Sequence, residues 1–294
     1  MHYSAPVYRP PGEANSILLE VTVGCTHNKC EFCYVYKDIS FSVSPMEQIE
    51  KDLKVASLRF PENKRIYLVG GNPFVLPFEK LKNIAVMINK YLPKCEVITT
   101  FARISDIKNK TVVQLKELKK LGISFIYVGT ESGNDEALRF MKKGITAADS
   151  VEQLKKLEEA GIRYFAMYLA GLGGHRNGEK SAIETAKMFN QLSPRGIGIM
   201  SLTIYDNAPL KKMVENGEFV QATELELIKE IAVFIKNLNI STTVTTQHIV
   251  SLIPFKVKFP EDKEQIMGRL MDFLENTSEE QISQNFDRKN IRSI

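Results

Sequence analysis

Apolar residues are concentrated in six short runs, separated by longer segments in which apolar positions recur every three or four residues. The runs cover residues 16 to 24, 65 to 71, 96 to 102, 124 to 130, 163 to 171 and 196 to 204. Their length and their content of β-branched and aromatic residues predict strands. The segments between the runs predict helices near residues 44 to 57, 77 to 91, 110 to 121, 134 to 142, 147 to 160 and 178 to 192.

Strands that are apolar throughout, rather than alternately apolar and polar, are typical of a parallel sheet with helices on both faces. The predicted fold class is therefore α/β, wound by right-handed crossovers into a complete or partial barrel or into an open sheet. In either arrangement, ligands bind at the carboxyl ends of the strands. The segments that follow the six strands contain, in chain order, clustered cysteines, GGNP (70 to 73), Arg103, ESGN (131 to 134), GLGGH (171 to 175) and YDNAP (205 to 209).

The helix that follows the cysteines has a typical start signal. Ser44 is predicted to cap it, with Pro45 at the first helical position and Glu47 three residues after the cap. This spacing is that of a capping box.

The pattern divides the chain into three parts. Residues 1 to 15 form an N-terminal arm, residues 16 to 220 contain the six strands, and residues 221 to 294 form a small C-terminal α/β extension. In the extension we predict a helix at 223 to 238, a β-rich piece after it, and a last helix from about residue 261.

Composition excludes some classes of protein. Of 294 residues, 44% are hydrophobic and 25% are charged, which is typical of a globular protein with a large core. The N-terminus has no signal-peptide pattern, and no apolar stretch reaches the roughly 20 residues of a membrane span. We therefore expect a cytoplasmic protein without a membrane partner. The net charge of +4 is spread over short lysine pairs rather than a basic stripe with aromatics, so nucleic-acid binding is not supported.

Three of the four cysteines lie within nine positions. Cys25, Cys30 and Cys33 are separated by four and then two residues. In a chain of this size such a cluster indicates a metal centre rather than a disulfide framework. Iron-sulfur clusters are held by thiolates, and three ligands on a [4Fe-4S] cube leave one iron open to a small molecule. A structural zinc site is the alternative, with His27 or Cys95 as the fourth ligand.

This cysteine loop, placed directly after the first strand, resembles that of the radical SAM enzymes. The resemblance covers residues from about 15 to 220 and favours a partial (β/α)6 TIM barrel. It implies a [4Fe-4S] cluster held by Cys25, Cys30 and Cys33, and S-adenosylmethionine (SAM) bound at the open iron. It also implies reductive cleavage of SAM to a 5′-deoxyadenosyl radical that removes hydrogen from a small-molecule substrate, with an external reductant such as flavodoxin or ferredoxin.

The resemblance assigns SAM contacts to further residues. Phe32, just before the last cysteine, matches an aromatic that packs near the adenine, and Leu172 in YLAGLGG matches an apolar position beside it. The segment Gly70, Gly71 and Asn72 matches the glycine-rich stretch whose carbonyls receive the methionine ammonium. Glycine permits this close approach of the backbone.

The charged contacts come from IYVGTESGNDEALRFMKKGI and from the third strand. This stretch is similar to those of the coproporphyrinogen oxidase, Elp3 and methylthiotransferase branch. Glu131 then accepts hydrogen bonds from the ribose hydroxyls, while Lys143, or its neighbour Lys142, pairs with the methionine carboxylate. Arg103 is a further SAM contact.

Departures from the family pattern narrow the reaction. The first cysteine gap is one residue longer than the common form, and Met167 stands where coproporphyrinogen oxidases have an aspartate. Only one further cysteine, Cys95, is present, so no set of thiolates remains for an auxiliary cluster, which argues against a methylthiotransferase. The substrate is not identified, and His175, His248, Tyr168 and Tyr205 are candidate substrate contacts or core residues. Two other functions stay open, a non-catalytic iron-sulfur electron-transfer or regulatory protein and a zinc-stabilised binding module.

Overall fold

The computed structural model describes residues 1–286. The strands are β1 (Ile17–Glu20), β2 (Thr22–Val23), β3 (Ser42–Val43), β4 (Arg65–Val69), β5 (Val97–Arg103), β6 (Ile123–Glu131), β7 (Arg163–Ala170), β8 (Gly196–Ser201), β9 (Thr242–Thr245) and β10 (Lys256–Phe259). The helices are α1 (Met46–Arg59), α2 (Phe78–Tyr91), α3 (Ile104–Lys108), α4 (Val112–Lys120), α5 (Asp135–Phe140), α6 (Ala147–Ala160), α7 (Gly178–Phe189), α8 (Pro209–Glu215), α9 (Glu224–Asn237), α10 (Lys263–Asn276) and α11 (Glu279–Asn285). Within residues 1–286, no helix combines the length and the apolar character that crossing a bilayer requires.

The chain forms two compact units that are not contiguous in sequence. The first unit comprises Met1–Asn28, Tyr36–Gly129 and Gln153–Tyr164, and the second comprises Lys29–Val35, Thr130–Glu152 and the described residues from Phe165 on. The predicted parts, an arm, a core to residue 220 and an extension, are contiguous in sequence and do not coincide with these units. The predicted division stays a prediction. Its last residues, 287 to 294, lie outside the described part of the chain.

In the first unit the main sheet runs in the order β1, β4, β5, β6, with every neighbouring pair parallel. The register aligns Leu19 with Leu68, and Leu68 with Thr100. Helix α1 packs against β1 and α2, and α2 packs against α4. The apolar faces of these helices are fully buried, as at Leu53 and Ile84. This burial on the sheet explains why the strands are apolar throughout.

In the second unit the order is β7, β8, β9, β10. The first three strands are parallel, and β10 is antiparallel to β9. Helix α9 packs against both α7 and α10. The six predicted core strands correspond to β1, β4, β5, β6, β7 and β8, and the predicted first and last helices of the extension correspond to α9 and α10. The predicted β-rich piece, residues 241 to 253, contains β9 only, and β10 follows it. The α/β fold class is thus confirmed.

Two local predictions were wrong. Helix α1 begins at Met46 with Pro45 as its N-cap and no side-chain cap, while the buried Ser44 hydroxyl has no hydrogen-bond partner. The helix expected at 110 to 121 is shorter, and a separate short helix, α3, precedes it directly after β5. Thr111 caps α4 by accepting from the Gln114 backbone N–H, which sets the start of that helix.

Candidate functional site

The predicted site residues are distributed over both units. The first unit contains Cys25, Gly70, Gly71, Asn72 and Arg103, and the second contains Cys30, Phe32, Cys33, Glu131, Lys143 and Leu172.

In the first unit the backbone next to Cys25 is held by the glycine pair after β4. The Gly71 N–H donates to the Gly24 carbonyl at 3.0 Å, and Gly24 has a positive φ of 71°. A Cβ at Gly70 would lie 2.1 Å from the Thr22 hydroxyl oxygen, and one at Gly71 would lie 2.4 Å from the Gly24 carbonyl oxygen. Only glycine fits such an approach of two backbones. The predicted role of this pair in receiving the methionine ammonium stays a prediction.

The Asn72 side chain lies on the cysteine loop. It is fully buried, its Oδ1 accepts from the Thr26 N–H at 3.1 Å, and its Nδ2 donates to the Thr26 hydroxyl at 2.8 Å. The same Nδ2 donates to both carboxylate oxygens of Asp106, at 3.2 and 3.0 Å. These contacts use both N–H groups of the amide and one of the two acceptor positions of Oδ1.

Arg103 ends β5 and leads directly into this network. Its backbone N–H donates to Asp106 Oδ2 at 2.8 Å, and its side chain is mostly buried. Burial raises the pKa of the Asp106 carboxyl. The Lys110 ammonium donates to the carbonyls of Phe74 and Asp106, and burial lowers its pKa to about 8. Sequence reasoning missed Thr26, Asp106 and Lys110, because nothing in RISDIKNK distinguishes a buried aspartate from a surface one.

In the second unit Cys30 and Cys33 form one turn, closed by a 3.3 Å bond from the Cys33 N–H to the Cys30 carbonyl. The peptide groups of Glu31 fix this turn on both sides. Its N–H donates to the Met141 carbonyl at 3.0 Å, and its carbonyl accepts from the Leu210 N–H at 2.9 Å. The Glu31 carboxylate also pairs with the Lys142 ammonium. Lys142, the alternative carboxylate partner in the prediction, is thus engaged by the cysteine turn.

Glu131 and Lys143, predicted to contact different parts of SAM, pair with each other. The Lys143 Nζ lies 2.7 Å from Glu131 Oε1, and both side chains are about nine-tenths buried. Glu131 has a φ of 63°, a strained backbone conformation for a non-glycine residue. The Lys143 ammonium also lies 5.9 Å from the centre of the Phe32 ring, within cation–π range. The structure therefore brings these three predicted residues together.

Leu172 belongs to an apolar cluster in the second unit. The cluster contains Leu138, Met141, Leu169, Leu172, Leu202, Leu210 and Phe219, and Phe32 packs against it. The two residues predicted to lie near the adenine thus share one apolar surface. Their predicted contact with SAM is untested.

Glu230 of α9 supports the turn that carries Leu172. Its carboxylate accepts from the Tyr168 hydroxyl at 2.7 Å and from the Gly171 N–H at 2.9 Å. It is almost completely buried, and this burial raises its pKa from 4.5 to about 7. Tyr168, also fully buried, is therefore placed here as a partner of Glu230 within the core.

Replacing Glu230 by Gln should flatten the pH dependence of stability. Since the folded-state pKa is raised, the folded protein binds more protons than the unfolded chain between pH 4.5 and 7, and stability falls as the pH rises through that window. The difference corresponds to about 3 kcal/mol, because each pKa unit corresponds to about 1.4 kcal/mol. Urea unfolding at pH 5 and pH 8 measures it, with exposed Glu275→Gln as the control. An equal decline in both variants would contradict this assignment.

The remaining candidate residues are His175, His248, Cys95 and Tyr205. His175 Nδ1 lies 2.9 Å from a Glu226 carboxylate oxygen, and burial lowers the pKa of His248. The Cys95 thiol donates to the Val97 carbonyl at 3.7 Å, and burial raises its pKa. The Tyr205 ring lies 4.1 Å from the Tyr34 ring, centre to centre.

The donor chemistry of the cysteine loop fits an iron-sulfur cluster. None of Cys25, Cys30 and Cys33 is in a disulfide, and thiolates are the ligands that such clusters take. Among residues 1–286, no three histidine, cysteine, aspartate or glutamate side chains are grouped so as to hold a metal ion. The assignment of these three cysteines as ligands therefore stays a prediction from their spacing and chemistry.

Relatives among known proteins match this chain to different extents. An uncharacterized protein of Methanocaldococcus jannaschii, MJ0486, is 25% identical over 235 residues, which is 76% of this chain and 71% of that protein. The heme chaperone HemW of Bacillus subtilis is 26% identical over 121 residues, covering 41% of this chain and 32% of HemW. The chain thus spans most of the first relative but only a third of the second.

Solved structures share the fold at low identity. Methylornithine synthase has a TM-score of 0.53 with 14% identity, and the match covers 92% of this chain and 85% of that one. Coproporphyrinogen III oxidase of Escherichia coli has a TM-score of 0.51 with 15% identity, covering 75% and 52%. These likenesses agree with the predicted TIM-barrel-like α/β core.

A protein-family match identifies the superfamily. Residues 19–189 match the Radical SAM superfamily, which is more than half of the chain. Enzymes of this superfamily use a [4Fe-4S] cluster and SAM. This chain belongs to the radical SAM superfamily.

Proposed function

We propose that this enzyme cleaves SAM reductively and uses the resulting 5′-deoxyadenosyl radical to remove hydrogen from a small molecule. The observation that carries the proposal is the set of three cysteines after β1, none of them in a disulfide, in a chain of the radical SAM superfamily. Three thiolates from Cys25, Cys30 and Cys33 would hold the cluster and leave one iron for SAM. When bound, the cluster supplies the electron that breaks a carbon–sulfur bond of SAM, which yields methionine and the radical.

The protein's own residues bind and orient SAM in this proposal. The carbonyls of the Gly70–Gly71 backbone accept from the methionine ammonium, and Lys143 pairs with the methionine carboxylate. Glu131 accepts from the ribose hydroxyls. Phe32 and Leu172 provide apolar surface for the adenine. This role is supported by the packing of Phe32 against the apolar side-chain cluster that contains Leu172.

We also propose that residues 16 to 220 form the catalytic core and residues 221 to 294 an extension that supports it. The bond from the Gly171 N–H to Glu230, which joins α9 of the extension to the turn after β7, supports the second part of this proposal, that the extension supports the core. An acidic electron carrier of the flavodoxin or ferredoxin class is the proposed reductant, and the positive net charge favours such a partner.

Anaerobic reconstitution with iron and sulfide, followed by incubation with SAM and dithionite, tests the proposed activity. We expect a brown protein with absorbance near 400 nm that releases 5′-deoxyadenosine and methionine in equal amounts. A cluster without SAM cleavage would instead indicate an electron-transfer or regulatory protein. Bound zinc and failure to form any cluster would indicate a zinc-stabilised module.

The substrate class is approached with the same holoenzyme. Small-molecule fractions of a cell extract are added to the SAM-cleavage reaction, and the yield of 5′-deoxyadenosine is compared with that of the unsupplemented enzyme. A fraction that contains the substrate should increase the yield. If only a protein or nucleic-acid fraction increased the yield of 5′-deoxyadenosine, the assignment of a small-molecule substrate would be wrong.

A further inference from the structure

Asn72 connects the residue after Cys25 to the loop that follows β5. Both its amide atoms bond to Thr26, at 3.1 Å to the backbone N–H and 2.8 Å to the hydroxyl. Together with the bond from Gly71 to Gly24, this places a hydrogen-bonded residue on each side of Cys25. Cys25 is therefore flanked by two fixed positions within the first unit.

Asp106 decides which way the Asn72 amide points. A carboxylate only accepts, so the amide NH2 must face Asp106, and Oδ1 is left to accept from the Thr26 N–H. Asp106 is itself fixed, because its Oδ2 accepts from the Arg103 backbone N–H at 2.8 Å. Both Asn72 and Asp106 are nearly or completely buried, so water does not compete for the bonds of Asp106 with the Asn72 amide and the Arg103 N–H.

We propose that Asn72 and Asp106 are positioning residues for the Cys25 thiolate. They hold the backbone after Cys25 so that its sulfur is presented to the iron-sulfur cluster without a cost in ordering the loop. This inference rests on the proposed function, in which Cys25 is a cluster ligand. It assigns the Asn72 side chain to the cluster loop and the Asp106 carboxylate to the orientation of Asn72.

Retention of the cluster by the reconstituted protein tests the proposal. The Asn72→Ala variant is expected to assemble a cluster and to lose it to an iron chelator about tenfold faster than the unaltered protein, equivalent to about 1.4 kcal/mol. The matched control is Asn89→Ala, since Asn89 is a more exposed asparagine of the same unit whose Nδ2 donates to the Leu121 carbonyl at 3.0 Å. This control should lose its cluster at the unaltered rate. The electron paramagnetic resonance signal of the reduced cluster should broaden in Asn72→Ala alone.

Exchange of the two side chains separates hydrogen bonding from simple packing. Asn72→Asp alone sets a carboxylate against Asp106 and should speed cluster loss further than Asn72→Ala. The double variant Asn72→Asp with Asp106→Asn restores a donor and an acceptor in each contact, because the new amide can donate to Asp at 72 and accept from the Arg103 N–H. This double variant should retain its cluster nearly as well as the unaltered protein. Failure of this double variant to exceed Asn72→Asp would overturn the proposal.

A milder variant keeps the test valid if Asn72→Ala does not fold. Thr26 is exposed, and Thr26→Val removes only its hydroxyl, so its retention should fall between those of the unaltered protein and Asn72→Ala. Full retention in Asn72→Ala, or in Thr26→Val if Asn72→Ala does not fold, would overturn the positioning role while leaving the proposed function intact. Failure of the unaltered protein to form any cluster would overturn both.

Discussion

The Cys30→Ala variant, reconstituted without oxygen, is expected to hold no stable [4Fe-4S] cluster and to release no 5′-deoxyadenosine from SAM. In the proposed site each of three thiolates binds one iron, so loss of one leaves two open irons and a labile cluster. Cys30 is buried, and alanine is smaller than cysteine, so the turn with Cys33 should persist. Iron and sulfide content, absorbance near 400 nm and 5′-deoxyadenosine release measure the result.

Cys95→Ala is the matched control for this loss. Cys95 is a free thiol that lies far from the Cys25 to Cys33 loop in sequence. Its Sγ donates a hydrogen bond to the Val97 carbonyl. It should form a cluster and cleave SAM at the unaltered rate. Retention of full cluster content in Cys30→Ala would remove Cys30 from the ligand set, and loss in Cys95→Ala would add Cys95 to it.

The fold was predictable because burial leaves a periodic trace in the sequence. The six core strands were found from apolar runs, and α6 was predicted with its observed bounds, since its apolar positions recur at helical spacing. The start of α1 was not predictable, because a serine before a proline fits a capping box equally well whether or not its hydroxyl turns toward the helix. Tertiary packing buries Ser44 instead.

The candidate site was predictable in its chemistry and not in its contacts. The cysteine spacing and the glycine pair are local in sequence, and the structure explains Gly71 by its approach to Gly24. The contacts of Asn72 with Asp106 and of Tyr168 with Glu230 join residues 34 and 62 positions apart. A buried carboxylate has no local signal, because its environment is built by elements that are distant in the chain. Glu131 and Lys143 are only 12 positions apart and both were singled out from the sequence, but their pairing with each other was not predicted.

Separating Glu131 from Lys143 is expected to destabilise the protein more than removing both charges. Removing one partner of a buried ion pair leaves the other charge in a poorly solvated place, at a cost of about 3 to 5 kcal/mol. Glu131→Gln and Lys143→Met should each lower the free energy of unfolding by such an amount, because both side chains are about nine-tenths buried. The double variant should lose less than either single variant. Urea unfolding of the four proteins at one pH measures this cycle.

The same variants test the predicted SAM contacts in the holoenzyme. If Glu131 accepts from the ribose hydroxyls, Glu131→Gln should weaken SAM binding by about 1.5 to 3 kcal/mol, the range for hydrogen bonds to a charged group. Cluster content should be unchanged, since neither residue is a proposed ligand. Anaerobic equilibrium dialysis with SAM gives the affinity, and iron analysis of the same samples gives the cluster content.

An exposed ion pair of the second unit serves as the control that makes both results interpretable. Lys180 and Glu136 lie 2.8 Å apart, as close as the buried pair, but both side chains are more than half exposed. Glu136→Gln should therefore change stability little and SAM affinity not at all. If Glu131→Gln behaved like Glu136→Gln in both measurements, the buried pair would not contribute to stability and Glu131 would not contact SAM. If only stability fell, Glu131 would be a structural partner of Lys143, and recognition of the ribose would have to come from another residue.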